Sequence, residues 1–264
     1  GRAGDPLSGG GVTPGRHEGA GAFRGPHEGV RLVQNHGIGP ADPHPVLADP
    51  ARTYDAKAGG CTTTLTLDHR MRPMDERVSL AGTWANCAGG VTPWGTWLTC
   101  EHTEQKAGPS ADEDHGFVFE VDPAHSSNNV EPTPLRGLGR FAHAAVCVDP
   151  QRGDVYLTED AGGPNGLLYR FRPLEQHGSY GSLRNGGFLQ AMRCRKGTTH
   201  VPDLSVFDVP GTTLAVEWVP VPDPSAGSTP IRQQYADGEV TRSATCEGAW
   251  RSSRRIDDEA GHPM

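Results

Sequence analysis

A chain of 264 residues with 24 basic and 32 acidic side chains carries a formal net charge of −8. That balance argues against a nucleic-acid partner, which requires a basic face. With 36 Gly, 23 Pro and only 34% apolar residues, the composition favours short strands joined by tight turns over helices. No run approaches the roughly 20 apolar residues of a membrane span, and the length allows one or two domains with a sizeable core.

In chain order, Gly4 to Gly29 reads as a Gly- and Pro-dense loop. His17-Glu18 lies inside it, read as a solvated pair in preference to a ligand. Val30 to Gln34 is the first clear strand, with Asn35 and His36 at its exit. The Pro- and Asp-rich stretch Ile38 to Arg52 is a surface loop. Thr62 to Leu67 is a strand, Arg70 to Arg77 a polar connection, and Val78 to Leu80 the next strand.

The stretch from Ser79 to His102 concentrates chemistry. It holds Trp84, Trp94 and Trp97 together with Cys87 and Cys100. Gly89 and Gly90 predict a sharp turn after Cys87, with close approach of the backbone to something. Trp94 to Thr99 predicts a strand that delivers Glu101 to its far end. A thiol on a glycine turn and a carboxylate at a strand exit can converge on one metal. The plainer reading stands beside it: Cys87 as a small buried hydrophobe and the Trp residues as core.

Thr103 to Asp114 is a charged loop, and its cluster Asp112-Glu113-Asp114 reads as a solvated turn because it lacks a calcium-loop spacing. Gly116 to Val121 alternates as a strand. Ala144 to Val148, Asp149-Pro150 and Asp154 to Thr158 read as strand, turn, strand, and Gly166 to Phe171 follows. Glu159-Asp160 closes the second of these, as a turn cap or as a ligand pair. Leu189 to Met192 and Thr213 to Trp218 are weaker strands, and Pro220 to Pro230 is an exposed loop. The strand, Asp-Pro, strand rhythm recurs with a spacing near that of propeller repeats, and the total of about ten or eleven strands makes under three blades at roughly four strands per blade. Six Cys show neither a Cys-x-x-Cys pair nor zinc spacing.

Several ordered motifs resemble the PhoX-type alkaline phosphatases. They include His17-Glu18-Gly19, Arg31 to His36, Gly60 to Leu65, Asn86-Cys87-Ala88-Gly89-Gly90, Gly116 to Pro123, Gly139 to His143, Val155 to Asp160 and Cys246 to Trp250. The resemblance implies an all-β, multi-bladed β-propeller that hydrolyses small-molecule phosphate monoesters with iron, held in part by a cysteine, and calcium. It implies Cys87, Glu101 and Glu247 as catalytic residues, and Cys87, Glu101, His102, Glu159, Asp160 and Glu247 as metal ligands. Relatives are typically exported to the periplasm or the exterior. No export segment is legible within these residues, so the expectation is a removed leader or a fragment.

Departures from the family pattern are specific. Gly37 and Ala144 stand where relatives carry acidic residues, His102 where they often carry Glu, and Ala244-Thr245 where a basic residue is expected, with Arg242 as an offset substitute. Cys61, Cys147 and Cys246 read as filler. The expected organisation is a β-propeller-like, incomplete domain over 1–250, about three blades' worth of short antiparallel strands. A divergent polar tail, 251–264, follows it. Two functions compete: a metal-dependent phosphomonoester hydrolase impaired by missing ligands, and an inactive propeller fragment serving as a scaffold or binding module. A cysteine nucleophile paired with His102 or His143 ranks below both.

Overall fold

The computed structural model describes residues 2–39, 46, 48–207 and 211–251; beyond Arg251 the expected tail lies outside the described residues. The described chain is all-β, with fourteen strands in three antiparallel sheets, joined by loops and single 3-10 turns. The first sheet runs β1 (His17–Arg24), β2 (Val30–His36), β3 (Gly60–Leu67) and β4 (Pro73–Thr83) in spatial order. The second holds β5 (Asn86–Val91), β6 (Trp97–Glu101) and β7 (Val118–Val121). The third comprises β8 (His143–Val148), β9 (Val155–Glu159), β10 (Gly166–Pro173), β11 (Gly187–Lys196), β12 (Thr199–Val201), β13 (Ala215–Pro220) and β14 (Arg242–Ser243).

Strand alternation places successive side chains on opposite faces, and this builds the core in layers. Trp97, Phe119 and Val121 of the second sheet meet Val33 and Leu80 of the first. Their neighbours Leu98, Cys100 and Val118 face the other way, onto Val146, Val155, Leu157 and Phe171 of the third. Leu98 is fully buried there, which contributes about 1.5–3 kcal/mol. Met192, Cys194 and Val201 form a smaller cluster with Leu168 and Trp218. Sheets stacked face to face through apolar layers make a β-propeller-like arrangement of three blades.

Each sheet opens with an edge strand, and those strands (β1, β5 and β8) lie side by side, with β5 in the middle. Their backbones nearly touch. A Cβ on Gly19 would fall 2.9 Å from Ala88 Cα, and one on Gly90 would fall 2.2 Å from the Val146 carbonyl oxygen. Glycine is therefore required for blade contact. This explains two differences from the sequence reading. His17–Arg24 and Asn86–Val91 are strands, not a loop and a turn, and their glycines serve packing between strands. β4 also begins at Pro73 rather than Val78, because Thr64 to Leu67 of β3 give its polar half a partner.

Candidate functional site: two carboxylate–partner pairs at the strand exits

Two dipeptides, Glu101-His102 and Glu159-Asp160, sit at the exits of β6 and β9 and follow the same rule. The first residue of each turns inward and is fully buried. The second turns out, and the two outward residues meet: His102 Nε2 lies 3.1 Å from Asp160 Oδ2. Alternation alone thus sorts four of the expected ligands into a buried pair and a rim pair.

The buried pair is committed to the fold. Glu101 Oε1 accepts the Trp84 backbone N–H at 2.9 Å and faces His115 Nδ1 at 2.7 Å. Its Oε2 accepts the N–H groups of Gly116 and Phe117 at 2.7 and 3.0 Å. Gly116 reaches this position with φ +101, in the left-handed region, and a Cβ there would lie 2.5 Å from the Thr103 carbonyl oxygen. His115 Nε2 in turn faces Asp55 Oδ2 at 3.1 Å, and all three side chains are fully buried. Burial pulls the His115 pKa down. Hydrogen bonding and charge from Glu101, then Asp55, outweigh burial and leave it raised above its ordinary 6.5.

Asp55 also accepts the N–H groups of Asp112 and Glu113, so the acidic turn is held through its backbone. Its side chains look outward to lysines, Lys57 to Asp112 at 2.6 Å and Lys106 to Asp114 at 3.1 Å.

Glu159 is tied similarly. Its Oε2 accepts from the Tyr169 hydroxyl at 2.7 Å and the Leu167 N–H at 3.1 Å, both from β10. Its Oε1 accepts from Arg232 at 3.0 Å, and the same guanidinium nitrogen donates to Glu104 at 2.7 Å. Burial raises the Glu159 pKa, against the Tyr169 hydrogen bond and the Arg232 charge, which lower it.

The rim is different. Cys87, on the middle edge strand β5, is half-buried. Burial pushes its thiol pKa up and the charges of Glu18, Glu247 and Asp160 add to the rise, while a hydrogen bond at Ala88 opposes it. Glu18, read as solvated, lies over Gly37: a Cβ there would fall 3.1 Å from Glu18 Cγ and 3.5 Å from its Oε1. Glu247 arrives on the segment from Cys246 to Arg251, which crosses toward the edge strands. Thr158 donates to the Glu247 carbonyl at 2.9 Å. This segment helps to wall a cleft of about 400 Å³ lined by Ala20, Gly89, Gly90, Val146, Trp250 and Arg251.

Arg242 does not reach that rim. Its guanidinium donates to the carbonyls of Asn165 and Arg232. His36 and His143 are structural: burial lowers their pKa to about 4 and about 3, keeping both neutral. Ala144 is buried in the core.

Thiolate, imidazole and carboxylate donors suit iron, and carboxylate oxygens suit calcium. Cys87, His102, Asp160 and Glu247 fit such ions in kind. Among the described residues, no three such side chains are gathered closely enough to hold one. Sequence reading missed Asp55, Glu104, His115 and Arg232. Arg232 sits in a single 3-10 turn, Ile231–Gln233, 128 residues from Glu104, and carries no local signal.

Three propeller-like blades, with Glu18 on the first edge strand and the half-buried thiol of Cys87 on the next, define a β-propeller-like protein. The chain belongs to the alkaline phosphatase PhoX family, whose family model matches residues 3–261. Among solved structures it is similar to Pseudomonas fluorescens PhoX in complex with vanadate, a transition state analogue. The TM-score is 0.54 and the identity 18%, over 86% of this chain and 52% of that one. This chain thus spans about half the length of that structure. No curated protein matches it.

Proposed function

We propose that the rim around Cys87 hydrolyses small-molecule phosphate monoesters outside the cytoplasm, in the periplasm or beyond it. The observation that supports this reading is that Glu18 from β1, Asp160 after β9 and Glu247 from the crossing segment all bear electrostatically on the Cys87 thiol, with His102 bonded to Asp160 at 3.1 Å beside them. Cys87, His102, Asp160 and Glu247 would hold iron and calcium. Bound there, such ions would offset phosphoryl charge and activate a water nucleophile. Glu101 and Glu159 act beneath them as positioning residues. Their anchored carboxylates fix the exits of β6 and β9 and so aim His102 and Asp160.

Metal analysis of the purified chain, paired with turnover of a chromogenic phosphate ester at alkaline pH, tests the proposal. Bound iron or calcium and measurable turnover are expected, with Cys87→Ala losing iron and at least about 10–100-fold in rate. A metal-free, inactive protein overturns it.

The second reading, a non-catalytic scaffold or binding module, draws support from the commitment of Glu101, Glu159 and Arg242 to internal partners. It predicts that Ala144→Glu adds no activity to the chain, whereas the hydrolase reading predicts a gain.

A further inference from the structure

Glu104 and Glu159 come from different sheets' strand exits and point at one atom. Arg232 Nη1 lies 2.7 Å from Glu104 Oε2 and 3.0 Å from Glu159 Oε1. The Arg232 side chain is about nine-tenths buried, and Glu159 is fully buried. Two further atoms of this group, Glu104 Oε1 and Arg232 Nε, are buried without a hydrogen-bond partner among the described residues. The group therefore offers more oxygen acceptors than one guanidinium nitrogen uses. Glu159 is fully buried and Glu104 about a quarter exposed, and two carboxylates held this close with so little water need a cation between them, since unpaired buried charge is strongly destabilising. Calcium meets that need in many proteins with carboxylate oxygens at about 2.3–2.6 Å. Here a side chain supplies it.

We propose that Arg232 is a resident cation, filling between Glu104 and Glu159 the place that a calcium ion would take. The exit of β9 is then held without metal. Guanidinium stays charged at every accessible pH, and its planar fork is fixed by the chain, so this support is independent of ion supply. Arg232 is itself located by its own backbone: its carbonyl accepts from Arg242, whose other nitrogen holds the Asn165 carbonyl. The inference is separate from the hydrolase reading, because it concerns the inner carboxylates and not the donors at the rim.

Removing the guanidinium should convert the group into a calcium-responsive one. The experiment measures thermal unfolding of the parent chain, Arg232→Met and Arg232→Lys, first in EDTA and then along a calcium titration. Only the difference between variant and parent is read, so any ion held at Cys87, common to all three, cancels. In EDTA, Arg232→Met is expected to melt roughly 10 °C below the parent. At roughly millimolar calcium that gap should narrow by half or more. Arg232→Lys, which keeps a cation, should stay within about 5 °C of the parent and ignore calcium. A gap that does not respond to calcium, or no gap at all, overturns the proposal. Where Arg232→Met gives no folded protein in EDTA, the lysine variant decides: if it collapses equally, the positive charge is not what the site requires.

Discussion

The inner and outer residues of the two strand exits are neighbours in the chain with opposite fates. Glu101 and Glu159 are buried, and every oxygen has a partner within the chain: backbone N–H groups, His115, Tyr169 or Arg232. His102 and Asp160, one residue further along, remain partly exposed and bond to each other. One step of strand alternation separates a structural carboxylate from one still able to serve a ligand. An acidic residue in a recognisable motif is thus not a ligand by position alone. What decides is whether the chain has already supplied its counter-charge.

The sharpest way to break this contrast is to remove a counter-charge. His115→Leu leaves Asp55 and Glu101 facing each other in the core and should cost about 3–5 kcal/mol, read by denaturant unfolding. A loss under about 1 kcal/mol would mean that the imidazole does not bridge the two acids. Next in size is a pH effect. The folded-state pKa of His115 is raised above 6.5, so its contribution is complete below about 6.5 and is lost as pH rises through the folded value. Stability should therefore decline on the alkaline side, and His115→Gln should flatten that limb of the curve. The smallest effect belongs to the rim. Glu247→Gln should change stability by no more than about 0.5 kcal/mol, because its carboxylate is exposed. A larger loss would place Glu247 among the structural acids.

Much of the fold was legible because alternation is a local signal. Gly116 to Val121 and Gly166 to Phe171 read as strands from side-chain pattern alone, and Glu101 was correctly placed at a strand exit. Glycine-rich β1 and β5 were hidden, since the Gly19 and Gly90 contacts that exclude a side chain come from other sheets. The partners of the site acids were hidden for the same reason. Asp55 meets His115 across 60 residues and Arg232 meets Glu159 across 73, distances over which no spacing rule operates.

The close approach of the three edge strands also limits how the rim can move. Because β5 is wedged with main chain against main chain on both sides, a slide of either neighbouring blade has little free space to absorb it. The sulfur of Cys87 rides on that wedge. Its distance from Glu18 on one flank and from Asp160 on the other is geared to the pitch of the whole stack rather than to any one loop.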